Sequence, residues 1–474
     1  MNIINAVEAR LLSPFYFLKK LLYFYDFVWY NDKIKESNGV IMAKESKKNL
    51  RWARLDNAAK IYPAAMRRNW SCLYRQSVTL TEEVDREVLA DALEVIVKRF
   101  PFIAARLRKG AFWFYLQQVE HAPEIKDEYS YPLVFMDKKE LTRCAFRVIV
   151  YKKRIAVEYF HSLTDGTGAL VFLKNLVAEY IERKYAVKIP LTDGIIDRNE
   201  SPKESELEDS FLKYANGVPA SRRDTNAWRM GDVRFEDGFL ALTCLKVPVK
   251  DALALARSYG YSLTVFFSAV MMKALLELQR ERTPNIKKQK HIKVLIPINL
   301  RSLFPSETMR NFAMYTIPDI DPKMGDYTLE EICSIVYHKM GLEFTAKHMS
   351  GVIAKNVGDE RNPLVRLIPL PLKNFVMKTV YDISGECKSC LSFSNLGAIK
   401  LPEEMRGYIE RFDFILGAQA SAPYNCGMLS YGDTLYINFI RNVKDPGLER
   451  WFFKILHDLG LCVTVESNKE QEEE

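Results

Sequence analysis

A polar joint divides this chain, and it limits the fold more than any other feature. Residues 192–230 contain RNESPKESELED, a Gly-Val-Pro and a polar run to Trp228, a composition that reads as a loop or inter-domain linker. On both sides strand and helix signals alternate. Before the joint, residues 80–99 place Val84, Val88, Leu89, Ala92, Leu93 and Ile96 on a helical stripe, which Phe100-Pro101 stops. Residues 144–151 (CAFRVIVY) and 155–160 (IAVEYF) read as strands joined by a turn at Lys152, Lys153 and Arg154. Residues 169–183 follow as a helix with Leu170, Leu173, Val177 and Tyr180 on one face. After the joint, residues 249–278 read as two helices split near Gly260. Residues 292–298 read as a buried strand, residues 427–440 as a hairpin turning on Gly432-Asp433, and residues 447–459 as a closing helix. The expectation is an α/β protein of two halves. Residues 1–50 form an extension, 51–191 the first half, 192–235 the linker, 236–465 the second half and 466–474 a solvated, disordered acidic tail.

Composition narrows the class. The chain has 474 residues, 48% hydrophobic, 27% charged and 12% aromatic. That excludes disordered, collagen-like and disulfide-stapled chains. The net charge of +8 is spread without a dense basic stripe, so nucleic acid is not an expected partner and a small anionic substrate fits better. Eight cysteines are too sparse for a disulfide framework. The one close pair, Cys387 and Cys390, lacks a second CxxC or a His pair at zinc-finger spacing and reads as ordinary thiols, with no metal expected.

The first residues, MNIINAVEARLL, do not run from a basic region into an apolar one, so a cytoplasmic location is the default expectation. Residues 11–30, LLSPFYFLKKLLYFYDFVWY, are the most apolar and aromatic stretch. Lys19, Lys20 and Asp26 interrupt it, which suits a transmembrane span poorly. Two readings stand: a helix packed on the protein or a partner subunit, or an amphipathic helix in peripheral contact with a membrane.

The chain carries no GxSxG, Walker A or HExxH motif. The string GTGALV begins like a dinucleotide fingerprint but has Val171 where the third glycine belongs. What remains is FHSLTDGTG, residues 160–168. Ile155, Val157, Tyr159 and His161 share one strand face by period two, and Asp165 and Gly166 follow in a short loop before a helix. A histidine leaving a strand end towards a cleft is well placed as a general base. A structural histidine is the competing reading.

The motif resembles the HxxxDG signature of the coenzyme-A-dependent acyltransferase superfamily. That group includes chloramphenicol acetyltransferase, peptide-synthetase condensation domains and alcohol acetyltransferases. Four further segments are similar: residues 85–107 (DREVLADALEVIVKRFPFIAARL), 263–275 (LTVFFSAVMMKAL), 296–317 (IPINLRSLFPSETMRNFAMYTI) and SNLG at 394–397. The order is that of the family over about residues 50–465, and RWARLDNAAKIYP at 51–63 places the chain nearest the bacterial alcohol-acetyltransferase-like branch. One departure is Phe160, which stands where condensation domains and wax-ester synthases usually carry a first histidine.

The resemblance implies two chloramphenicol-acetyltransferase-like subdomains in a pseudo-dimer, with an active-site tunnel between them. It implies acyl transfer from acyl-CoA, acetyl-CoA in the first instance, as co-substrate and not as a permanently bound cofactor. The acceptor would be an alcohol, with His161 as base. Asp165 would pair with Arg301 and brace the loop, with a helix N-cap as its competing reading. Gly166 would admit substrate close to the backbone, an ordinary turn glycine being the competing reading, and Ser394 and Asn395 would line the site or donate to the oxyanion, although a strand-end turn explains SNLG equally. The basic run Arg280, Arg282, Lys287, Lys288 and Lys290 reads as a solvated loop. Two other functions compete: a condensation-type transfer from a carrier-protein thioester to an amine acceptor, and a catalytically idle relative.

Overall fold

The computed structural model of the chain describes residues 51–67, 70, 72–220, 225–384, 387–419 and 422–468. The expected helix at 11–30, with the whole extension 1–50, lies outside the described residues, as does the tail from 469 onward.

β-branched and aromatic residues build the first sheet. β2 (Leu73–Leu80), β6 (Phe146–Tyr151) and β7 (Arg154–Phe160) run antiparallel, with Tyr74 opposite Tyr159 and Tyr159 opposite Phe146. The turn between β6 and β7 places Lys152 at φ 49°. β5 (Lys126–Asp127) and β13 (Ile409–Leu416) complete the order β13-β2-β7-β6-β5. Helices α1 (Arg86–Arg99) and α2 (Gly166–Tyr185) share one core with this sheet through residues such as Leu93, Val97, Phe172 and Leu176. α1 starts later than the apolar stripe suggests. The strand runs to Leu80, and the Asp85 side chain accepts from the backbone N–H groups of Glu87 and Val88, which sets the helix start. A small sheet of β1 (Trp52–Arg54), β4 (Phe114–Gln118) and β3 (Ala105–Lys109) flanks this half.

The second sheet has the order β10-β9-β12-β14-β15-β8-β16, with β11 (Asp319–Ile320) also on β9. Its strands are β8 (Ala241–Pro248), β9 (Ile292–Asn299), β10 (Ala313–Thr316), β12 (Leu391–Ala398), β14 (Tyr424–Tyr431), β15 (Thr434–Arg441) and β16 (Thr464–Ser467). β12 is parallel to both neighbours. α3 (Leu263–Arg282), α4 (Leu329–Glu343) and α7 (Gly447–Asp458) pack on it. α5 (Ala346–Arg361) belongs to a third, smaller core with Phe211, Leu300 and Phe312. α6 (Leu370–Ser384) lies against the short helix Tyr62–Ala65. Together the elements form two sheet-rich bodies of mixed α/β structure.

Three features depart from the sequence expectations. β13 lies within the segment assigned to the second half, yet it pairs with β2 in the first sheet, Phe412 opposite Val78 and Phe414 opposite Gln76. The linker carries the short helices Glu204–Leu207 and Ser210–Lys213, and it is tied to both halves. Arg99 grips Glu206 with two bonds of 2.6 and 2.8 Å, and the Thr308 hydroxyl donates to the Glu208 carbonyl at 2.7 Å. Finally, Glu466 and Ser467, expected in a disordered tail, belong to β16 on the edge of the second sheet. Glu466 pairs there with Lys246 and Arg411, so its charge serves an edge strand.

Candidate functional site

The loop from the end of β7 to the start of α2 carries the expected constellation. His161 directly follows the strand, and its backbone N–H still donates to the Cys72 carbonyl at 3.0 Å, which fixes where the side chain leaves the sheet. The imidazole is half-buried. Tyr62 stacks on it at 4.3 Å with the planes 10° apart, and Tyr74 approaches at 4.9 Å, tilted by 59°. The Tyr74 hydroxyl donates to the Thr164 carbonyl at 2.9 Å, so this wall is bonded to the loop it faces. Nδ1 of His161 is buried and has no hydrogen-bond partner among the described residues. Burial is the largest influence on the ring and holds its pKa below the ordinary histidine value. The main chain at His161, the charge of Asp165 and the Asn311 side chain oppose it more weakly. Neutral imidazole therefore dominates at neutral pH. Burial also pushes both tyrosine hydroxyls well up, so they stay uncharged beside it.

Asp165 both caps a helix and pairs with Arg301. Oδ1 caps α2, accepting from the backbone N–H groups of Thr167 at 3.1 Å and Gly168 at 3.0 Å. Oδ2 accepts from the Arg301 guanidinium at 2.7 Å and from the Phe312 backbone N–H at 2.8 Å. The carboxylate is thus spent on four donors. Arg301 is equally committed. Nε and one Nη donate to the Thr308 carbonyl, and the same Nη also donates to the Arg310 carbonyl. The other Nη donates to Asp165 and Asn299. Further bonds from the 299–312 segment reinforce this brace. The Thr164 hydroxyl donates to the Met309 carbonyl at 2.6 Å, and the Asn299 amide donates to the Thr167 hydroxyl at 3.2 Å.

The glycines have distinct duties. A Cβ at Gly166 would sit 2.8 Å from Leu396 Cδ2, the end of a flexible side chain. A Cβ at Gly168 would sit 2.1 Å from Thr164 Oγ1 and 2.4 Å from the Met309 carbonyl oxygen. Gly168 is therefore the position that admits no side chain, because the second half's backbone crosses against it. Ser394 and Asn395 lie on β12. The Asn395 side chain donates to the Thr264 hydroxyl at 3.0 Å and accepts from the Gly397 N–H at 2.8 Å, so it bonds within the second half. Leu396 is the residue of that segment that reaches the loop.

Several residues around His161 went unread in the sequence. Asn311 donates to the His161 carbonyl at 3.2 Å and to Asp56 at 3.3 Å. Asp56 is buried and accepts from the Ala59 N–H at 2.8 Å, just before the turn that delivers Tyr62. Its nearest cation, Arg310, stands 3.9 Å away, and burial outweighs that attraction, raising the carboxyl to about 6. Elsewhere, Cys387 and Cys390 are buried, and the Cys387 sulfur accepts from the Arg229 guanidinium. Among the described residues no group of three or more His, Cys, Asp or Glu side chains is arranged to hold a metal ion. Of the basic run, Arg280 pairs with Asp326 and Arg282 with Asp232 and Asp445.

No family model matches the chain, and no curated protein matches its sequence. Solved structures do match its fold. The trichothecene 15-O-acetyltransferase TRI3 from Fusarium sporotrichioides superposes with a TM-score of 0.56 at 12% identity, over 88% of this chain and 96% of that one. F. graminearum TRI101, solved with coenzyme A and T-2 mycotoxin, gives 0.56 at 11% identity over 84% and 96%. The first condensation domain of the CDA synthetase gives 0.53 at 11% identity over 87% and 96%. The architecture is that of chloramphenicol-acetyltransferase-like and condensation-domain folds.

Proposed function

We propose that this chain is an acyltransferase that moves an acyl group, acetyl in the first instance, from a coenzyme A thioester to an alcohol. The observation that carries this reading is the His161 imidazole. It is held neutral by burial between two tyrosine rings, on a loop braced by the opposite half. The fold shared with an O-acetyltransferase and with a protein solved with coenzyme A supports the substrate class.

The chemistry asks for little else. A thioester is already activated, so no covalent nucleophile is required. An imidazole nitrogen accepts the hydroxyl proton as the acceptor oxygen bonds to the thioester carbonyl carbon, forming a tetrahedral oxyanion. Collapse breaks the C–S bond, and the imidazolium returns the proton to the departing sulfur, releasing ester and thiol. Asp165 does not act on the imidazole. Both of its oxygens are occupied by backbone N–H groups and Arg301, and its duty is to hold the loop.

The likeness to condensation domains supports a second reading, transfer from a carrier-protein thioester to an amine. Phe160, in place of a first histidine, favours the alcohol reading. Thiol release measured with a panel of acyl-CoAs and alcohols tests the proposal. Release that depends on both substrates is expected. Turnover only with acylated carrier protein and amines would replace the first reading by the second, and no turnover with any pair would leave an idle relative.

A further inference from the structure

The small sheet at the flank of the first half has one buried and one solvent-facing side. Cross-strand register decides which residues share a side. Ala53, Leu116 and Leu107 lie opposite one another and pack on the core. The other side is a grid of two rows. Trp52, Gln117 and Arg106 form the first row, and Arg54, Tyr115 and Arg108 the second. Nε of Arg106 and Nε of Arg108 both donate to Oε1 of Gln117, at 3.0 and 3.1 Å, which confirms that the two guanidiniums lie side by side. Trp52 is 64% exposed and meets Tyr115 edge-on at 6.3 Å. No ion pair within 4 Å joins Arg54, Arg106 or Arg108 to a carboxylate among the described residues. Desolvation and, after it, the neighbouring charge of Arg108 lower the pKa of Arg106, with Glu120 and Tyr115 opposing.

A second, independent feature adjoins this grid. The tip of the β3–β4 hairpin is bonded to the start of α6. The Leu370 N–H donates to the Ala111 carbonyl at 2.9 Å. The buried Lys373 ammonium donates to the Phe112 carbonyl at 3.0 Å and sits 3.5 Å from the centre of the Trp113 ring. The side of α6 away from this junction presents Leu372, Phe375 and Val376 at helical spacing. Phe375 is 69% exposed and Leu372 51% exposed, with Lys378 beside them. Leu367, just before the helix, is 55% exposed. Three arginines with no carboxylate partner among the described residues, together with two aromatic rings and an exposed apolar helix face, match the layered chemistry of one partner. Phosphate headgroups sit outside and hydrocarbon lies within.

We infer that the β1-β4-β3 face and the exposed side of α6 together form a docking surface for an anionic lipid membrane. The arginines meet phosphate headgroups, Trp52 and Tyr115 lie at headgroup level, and Leu372, Phe375 and Val376 enter the acyl boundary. A folded acidic protein or a nucleic acid would match the arginines but would leave the apolar side of α6 exposed. Among the described residues no single helix is long and apolar enough to cross a membrane, so this contact lies along the surface. The other side of α6 packs on the helix that carries Tyr62, and Trp70 stacks on Tyr381 at 5.3 Å. The surface therefore stands one helix away from the His161 ring, and a docked membrane would bring lipid-soluble acceptors close to it.

Co-sedimentation of the full chain with phosphatidylcholine vesicles, with and without a third of phosphatidylglycerol, tests the inference. Binding should require the anionic lipid and fall steeply with salt. Arg106→Gln with Arg108→Gln should weaken it by roughly tenfold or more, since each basic group near an anionic surface counts separately. Leu372→Glu with Phe375→Glu should weaken it comparably at every salt concentration. Thermal melts check that both variants are folded; for a pair that fails to fold, Arg54→Gln or Val376→Glu replaces it. Binding unchanged in both sets would overturn the inference and assign membrane contact to residues 11–30. So would the absence of binding to anionic vesicles, or a loss in the arginine set matched only by lost oligonucleotide or acidic-protein binding.

Discussion

Two buried aspartates flank His161, and they are treated in opposite ways. Asp165 receives four donors, two from its own helix and two from the opposite half. Asp56 receives the Ala59 N–H and a longer bond from Asn311, with its nearest cation 3.9 Å away. Burial alone does not decide what a carboxyl does. The number and kind of donors decide whether it serves as a fixed brace, and Asp56, with few, is raised to about 6.

The comparison matters for function only if both sides serve the imidazole between them. His161→Ala should therefore give the largest effect, lowering kcat by ~10²–10⁴ with the melting temperature nearly unchanged. Thiol release near the wild-type rate would remove the ring from the mechanism. In the wild type, the acid limb of kcat/KM should lie below pH 6.5, the ordinary histidine value, because burial favours the neutral form. A limb above that value would contradict the described environment.

Breaking the brace comes next. Asp165→Ala leaves Arg301 largely buried without its counter-charge and should cost about 3–5 kcal/mol. Removing both partners should cost less than the sum of the single losses, and strictly additive melts would show that the pair is not coupled. The two glycines sharpen the same side. Gly168→Ala should lose ~1–3 kcal/mol by overpacking against the Met309 carbonyl, whereas Gly166→Ala needs only a shift of Leu396 and should lose less. Equal losses would mean that the opposite backbone does not hold its place.

The remaining effect belongs to the other carboxyl, and its sign is fixed. Asp56 titrates near 3.8 when unfolded and near 6 when folded. Between those values the folded state keeps a proton that the unfolded state has released, so this group lowers stability as pH rises from about 4 to about 6. Asp56→Asn should flatten that part of the stability profile relative to wild type. Parallel profiles for the two proteins would place the titration elsewhere.

The legible part of this site was its contiguous part. His161, Asp165 and Gly166 sit within six residues, and a strand, a loop and a helix N-cap each have local signatures. Arg301 came into view only through a resemblance of ordered segments. Asp56, Tyr62 and Asn311 have no periodicity to betray them, since their meeting depends on which backbones cross. Gly168 was passed over for its neighbour Gly166, because the need for glycine arises from a carbonyl more than a hundred residues away. β16 was hidden for another reason: it is short and exposed, and its last two residues, Glu466 and Ser467, run straight into the charged segment that follows and read as part of it.

The crossing of β13 into the first sheet bears on the order in which the polypeptide acquires its shape. As the chain emerges from a ribosome, β2, β6 and β7 are available early, but the outer edge of β2 must wait for a partner more than three hundred residues later. Through most of synthesis that edge is a bare row of N–H and C=O groups, open to any other extended strand nearby. A nascent chain stalled before residue 409 would hold a sheet that cannot close. That edge needs shielding until β13 itself has been made and can pair with it.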